Sequence, residues 1–367
     1  MKIIIKYITI SILIFTYGCS DYLDVIPDKT QEIELLFERK ETTYRALSAC
    51  YHFIPQYDNV YASYAMASDE ITTNVAKATP GVNMMRGLQN ASNPLLGFWD
   101  DNYFAGGNQK SLYKGIRYCN IFIENVESVR DMTAQEKKEW KAEAIFLKAY
   151  YHFLLFSQYG PIPIVDENLP IDASVEEVRV KRKSVDEVIE YIVNTIDVAL
   201  EGLPEKITNL NELGRVDQVA AAAIKSRVLL YAASPLYNGN ALLYDRFVNK
   251  DGTKLFNTTP DLEKWKKAAD AAKEAIELAL KNGAAIYEYK GVVPSYDTVS
   301  IKYDEVKALY NYRYMMVDRW NSELLWGNSN PVLRDNDWPS IQAAALIPNP
   351  NTDQATEAAW GWAAPAL

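Results

Sequence analysis

Histidine and cysteine are almost missing from this chain: there are two His and three Cys in 367 residues. His52 and His152 lie on separate predicted helical faces beside Tyr and Phe, with no second His at ligand spacing. A zinc site needs three or four such ligands, so each histidine reads as a packed or surface side chain rather than a ligand or base. Basic charge is also short. Lys and Arg number 38 against 48 Asp and Glu, for a net charge of −10. That speaks against nucleic acid, whose binders carry basic patches. There is no P-loop, no G-x-S-x-G and no G-x-G-x-x-G. No loop has calcium-ligand spacing. The acid pairs Asp69-Glu70 and Asp100-Asp101 are chain neighbours, whereas glycoside hydrolysis needs two carboxyls facing each other about 5–10 Å apart. No catalytic residue, metal or cofactor is therefore assigned, and the chain reads as a binding protein rather than an enzyme.

What is present begins with an address. Lys2 and Lys6 precede the apolar run Ile8–Phe15, which is too short to span a bilayer and reads as a signal-peptide core. Thr16-Tyr17-Gly18-Cys19 follows, and a small residue before Cys at this place resembles a lipobox, where the cysteine is acylated. Tyr17 departs from the usual small residue. The expectation is a signal peptide over 1–18, then a lipid anchor and linker over 19–34 with Cys19 as the lipidated residue. One acyl chain holds weakly, so stable anchoring needs several. Of the other cysteines, Cys50 and Cys119 sit on predicted helices and read as two buried free thiols, with a bridge as the alternative.

Helix signals are strong over the middle of the chain. Thr133-x-x-Glu136 is a capping box, followed by Trp140, Ala144, Leu147, Tyr151 and Leu154 on one face and stopped by Gly160-Pro161. Ser184-x-x-Glu187 is a second box, with Ile189, Ile192, Ile196 and Ala199 behind it. A third helix runs from about Asp217 to Ser234, with an alanine run that leaves room for a close neighbour. A fourth is expected to start at Thr259-Pro260 and to bury Trp265, Ala269, Ala272, Ile276 and Ala279. Two weaker faces are Tyr44, Leu47, Tyr51, Ile54 and Tyr113, Ile116, Asn120, Ile123. Six helices of this kind make three pairs, as in a tetratricopeptide-like stack, although the full repeat consensus is absent. The alternative is an irregular bundle. Stretches 58–110, 161–183, 235–259 and 284–367 read as irregular, so the helices look like a frame and the loops like the working surface. The expected fold is an all-α, right-handed helical-repeat scaffold with long irregular loops forming the binding face. The scaffold covers 35–282, and a loop-rich, ligand-binding region covers 283–367, incomplete at its C-terminal end.

Several segments together resemble the SusD/RagB family of outer-membrane glycan-binding lipoproteins. They are Cys19-Ser20-Asp21-Tyr22-Leu23-Asp24 with Pro27; Ala67-Ser68-Asp69-Glu70; Tyr113-x-x-Ile116-x-x-x-Asn120; Ala142–Phe153 followed by Tyr159-Gly160-Pro161-Ile162-Pro163; Gly214-Arg215 with Ala221–Ala233; and Trp265 on its alanine-rich helix. They stand in the family's order over most of 19–282. The family's later Arg-Tyr-Ala-Glu-like block has no counterpart here. The resemblance implies a surface-exposed, lipid-anchored protein of the cell outer membrane that binds oligosaccharide and acts as a lid on a SusC-like TonB-dependent transporter. A helical-repeat scaffold for a protein or peptide nutrient is the alternative.

Sugar binding needs an aromatic ring under the C–H face of a pyranose and polar side chains for its hydroxyls. Aromatics are plentiful, with 25 Tyr and 8 Trp. The resemblance implies a site made by the loop after the Asp-Glu motif together with aromatics of a late loop. Asp69, Asn74, Arg86 and Asn90, with Gln89, come from the first; Trp338, Trp360 and Trp362 come from the second, where Trp320 also lies. Trp140, Trp265 and Trp326 read as core.

Overall fold

The computed structural model describes residues 33–55, 71–72, 80–90, 92, 95, 97–99, 111–170, 172–293, 303–327 and 364–365. Among these, seven helices of twelve residues or more carry the architecture: α1 (Lys40–Tyr51), α2 (Leu112–Asn125), α3 (Ala134–Tyr159), α4 (Val185–Leu200), α5 (Gln218–Ala233), α6 (Leu262–Lys281) and α7 (Tyr303–Val317). From α1 to α6 each helix packs on the next in sequence. This nearest-neighbour stacking is the signature of an all-α helical repeat. Two short strands, β1 (Ile71–Thr72) and β2 (Ala364–Pro365), pair antiparallel with Ile71 opposite Pro365 and Thr72 opposite Ala364. No helix among the described residues is long and apolar enough to cross a membrane.

The spine is α3, 26 residues and so about 39 Å long. Thr133 and Glu136 close the expected capping box at its start, and Gly160 with φ 67° ends it. The expected face is buried, but so are Phe146, Ala149, Phe153 and Phe156 around the rest of the helix. A helix apolar on most sides must be covered on most sides, and α2 and α4 both pack on α3. Gly115 of α2 permits a close crossing. A Cβ there would lie 2.9 Å from Cβ of Phe53 and 3.0 Å from a ring carbon of Tyr151. Cys50 and Cys119 are both buried and unbridged.

Three expectations change. The α6 cap is Asp261, whose side chain accepts from the Glu263 N–H, rather than Thr259. The buried stripe of α6 is Ala268, Ala271, Ala275 and Ala279, while Trp265 is 44% and Ile276 60% exposed. Small residues allow α6 to approach the alanine-rich α5 closely, and that contact turns the bulkier residues outward; Trp265 is not core. Finally, the 284–367 stretch is not wholly irregular. It contains α7, and shorter helices at Pro80–Met85, Val175–Val178 and Ala241–Tyr244 interrupt the other stretches read as irregular. Only Val306 of α7 is in the core, so its amphipathic pattern is faint in the sequence.

A buried polar knot ties distant segments together. Glu143 of α3, 1% exposed, accepts from the Tyr51 hydroxyl at 2.5 Å and from Arg215 through Nε at 3.1 Å and through Nη2. The Val216 N–H in turn donates to the Tyr51 oxygen at 3.0 Å, and the Arg215 guanidinium lies over Trp140. Burial pushes the Glu143 carboxyl upward, opposed by Arg215 and Tyr51. The Glu143 and Gly214-Arg215 segments thus meet as structure rather than as a ligand site.

Candidate functional site

The loop that precedes α2 folds back on α3 and displays one ring. Leu95 and Phe98 are buried, at i and i+3, whereas Trp99 is 41% exposed. Two parts of the chain, the end of α3 and the start of α2, hold Trp99 in place. The Tyr159 hydroxyl, at the end of α3, accepts from the Phe98 N–H at 2.8 Å. The Leu112 N–H donates to the Phe98 carbonyl at 2.8 Å, and the Ser111 hydroxyl donates to the Trp99 carbonyl at 2.8 Å. The indole meets Tyr113 at 5.1 Å and Tyr159 at 5.4 Å between centroids, both T-shaped. Tyr113 is itself fixed, its hydroxyl donating to the Pro163 carbonyl at 3.2 Å. Burial and the neighbouring Tyr159 push the Tyr113 phenol upward, so it stays a neutral donor. The result is an ordered aromatic platform with little left to lose in side-chain freedom on binding.

The candidate residues divide into three groups. Arg86 and Asn90 lie together on the exposed turn after the Pro80–Met85 helix, where Gly87 has φ 71°. Asn90 also shapes that turn: its amide donates to the Leu88 carbonyl at 3.1 Å, and its oxygen accepts from the Ser92 N–H at 3.0 Å. Gln89 accepts from the Leu95 N–H at 2.6 Å, which links this turn to the loop that ends at Trp99. Asp69, Asn74, Trp338, Trp360 and Trp362, like Cys19, lie outside the described residues. The β1–β2 pair joins Ile71–Thr72 to Ala364–Pro365. Asp69 precedes Ile71 by two residues, Asn74 follows Thr72 by two, and Trp362 precedes Ala364 by two.

Of the later tryptophans, Trp326 packs against the core as expected. Its ring meets Phe146 at 5.6 Å and Tyr150 at 5.4 Å, and its Nε1 donates to the Gly214 carbonyl at 3.0 Å. Trp320 is 38% exposed and holds φ 52°, a conformation uncommon for a bulky residue. Sequence reasoning missed Trp99, because it ends the apolar run Leu95-Leu96-Gly97-Phe98 and so looks buried. No periodic signal separates Trp99 from Leu95 and Phe98, because positions i, i+3 and i+4 would share one face of a helix; its exposure is set by the tertiary contacts alone. His152 is fully buried and His52 exposed. No group of three or more His, Cys, Asp or Glu suited to a metal occurs among the described residues.

Residues 21–230 match a SusD-like protein family described as starch-binding and associating with the outer membrane. No curated protein matches the chain. Among solved structures it is similar to BT4246, with 26% identity and a TM-score of 0.71 over 89% of this chain and 55% of that one. It also resembles a laminarin-binding SusD-like protein, with 16% identity and a TM-score of 0.57 over 90% of this chain and 62% of that one. A third likeness is surface glycan-binding protein A from Bacteroides uniformis, with 18% identity and a TM-score of 0.54 over 89% of this chain and 60% of that one. The last two likenesses bear on the fold. The chain spans less than two thirds of the length of each of these three proteins.

Proposed function

The chain belongs to the SusD-like family, described as starch-binding and associating with the outer membrane, and on that premise we propose that it captures glycan at the cell surface. It acts by binding, without catalysis. The observation that carries this reading is Trp99, a half-exposed indole locked by Tyr113, Tyr159 and Ser111. Such a ring offers a sugar a flat apolar face at low entropic cost. Arg86 and Asn90 supply polar groups from the turn linked to the same loop, with Asp69, Asn74, Trp338, Trp360 and Trp362 as further ligand residues. The pairing of β1 with β2 supports bringing the early and late regions to one site. Delivery to a SusC-like TonB-dependent transporter, and anchoring to outer-membrane lipid through acylated Cys19, complete the proposal.

Binding of soluble starch and laminarin, followed by affinity electrophoresis and titration calorimetry, tests it. Trp99→Ala is expected to weaken the glycan that binds by about tenfold to hundredfold, the range of an aromatic anchor worth ~1.4–2.7 kcal/mol, with little change in Tm. Unchanged affinity with a lowered Tm would make Trp99 a loop anchor and sink the platform.

A further inference from the structure

A second concave surface lies away from the Trp99 platform. After α6 the chain runs alongside α7 and the turn that follows it, stitched by alternate backbone groups. The Ala285 N–H donates to the Ser322 carbonyl at 3.0 Å, the Tyr287 N–H to the Glu323 carboxylate at 2.9 Å, and the Tyr289 N–H to the Asn311 side-chain oxygen at 2.9 Å. The Tyr289 ring stacks on Tyr314 at 4.2 Å, and Tyr310 follows at 5.7 Å. Asn321 braces the turn, donating to the Met315 and Asp318 carbonyls at 2.8 and 3.0 Å. Between these walls is a cleft of about 660 Å³ lined among others by Tyr287, Glu288, Lys290, Asp318, Arg319 and Ser322.

We propose that this cleft is a second subsite for an uncharged saccharide, distinct from the Trp99 platform. Its size suits a small ligand. Its charges cancel in kind: Glu288 is held by Lys290 at 2.6 Å and by Lys307 at 2.8 Å, Asp318 accepts from the Tyr287 hydroxyl, and Arg319 also lines the cleft. With two carboxylates and two cations in its lining the cleft favours neither sign of charge, and neutral hydroxyls can donate to Asp318 and to the Tyr287 oxygen and accept from Arg319. Position supports a separate role. The cleft's turn runs on to Trp326, which packs on Phe146 and Tyr150, while the platform leans on Tyr159. These anchors are separated along α3 by about 14–20 Å at 1.5 Å per residue. One extended glycan chain engaging both sites would gain avidity that a short fragment lacks. The inference rests on the glycan-capture reading for its ligand class.

The test uses the whole chain with four neutral polysaccharides, soluble starch, laminarin, xylan and galactomannan, with short oligosaccharides of each, and with polygalacturonate as the charged comparison. Asp318→Asn and Arg319→Ala are expected to weaken polysaccharide binding by roughly fivefold to tenfold. They should also remove the residual binding left in Trp99→Ala. Unchanged affinity in both backgrounds overturns the subsite, and so does a loss confined to polygalacturonate, which would make the cleft an anion site. The two readings fail separately. A silent cleft beside a damaging Trp99→Ala removes only the subsite, and a silent Trp99→Ala beside damaging cleft variants removes only the platform. Binding to none of the four polysaccharides sinks both.

Discussion

A histidine sealed from water must satisfy both ring nitrogens inside the protein, and His152 does so. Its Nδ1 bonds the Lys148 carbonyl at 2.8 Å, and its Nε2 accepts from the Val165 N–H at 3.2 Å, which assigns the neutral ring with the proton on Nδ1. The bond to Val165 pins the Gly160–Asp166 segment against α3, beside the Tyr113–Pro163 bond that steadies the platform. Burial, the largest cause, lowers its pKa from 6.5 to about 4. Between those values the unfolded chain takes up the proton first, so stability is full above pH 6.5 and is lost as pH falls through about 4. The linkage amounts to about 3 kcal/mol. His152→Gln is therefore expected to flatten the fall of the urea midpoint between pH 7 and pH 4.5. Parallel slopes for variant and wild type would show that His152 does not carry this sensitivity.

At the scale of elements, burial follows from what each helix touches. Leu147 sits at the centre of α3 with no exposed surface. Leu147→Ala is expected to cost about 2–5 kcal/mol, read from the denaturant midpoint at constant m-value. A loss below about 0.5 kcal/mol would place that face in solvent. The face of α3 was legible in the sequence because large apolar side chains repeat in steps of three and four. The face of α6 was not, because it carries two candidate stripes. The sequence favours the one with Trp265 and Ile276, while the alanine stripe is what a close neighbour can use. Legibility failed again at α7, where the sequence shows tyrosines without a buried apolar period and the helix stands largely exposed. The Trp99 platform was legible only in part. Its loop was singled out for Arg86 and Asn90, but the ring it displays depends on Tyr113, Tyr159 and Ser111, which are distant in sequence from the turn.

At the scale of the whole molecule, the helical stack is a frame that carries the proposed glycan-binding loop surface, and a membrane anchor at Cys19 is part of the same proposal. Acylation of Cys19 makes a direct prediction: a clickable fatty acid should label the wild-type protein in its host, and Cys19→Ala should abolish that labelling and release the protein from the membrane fraction. Equal labelling of both would remove the anchor from the proposal. Trp99 and the cleft beyond α7 are both fastened to α3, one at Tyr159 and the other through Trp326. The two sites thus take their anchors from positions 9 to 13 residues apart on one helix.

The order of α1 to α6, the capping boxes of α3 and α4 and the identity of the long central helix were determined by the sequence alone. Those features depend on local signals: hydroxyl and carboxylate side chains three apart, apolar steps of three and four, and glycine where φ turns positive. Non-local partners were left to the tertiary structure. Only packing could decide that α6 turns its alanines inward, that Glu143 and Arg215 share one buried knot, and that Trp99 is displayed while Trp326 is covered. Each depends on which surface another segment, tens of residues away, happens to occupy, and no window along the chain contains that information.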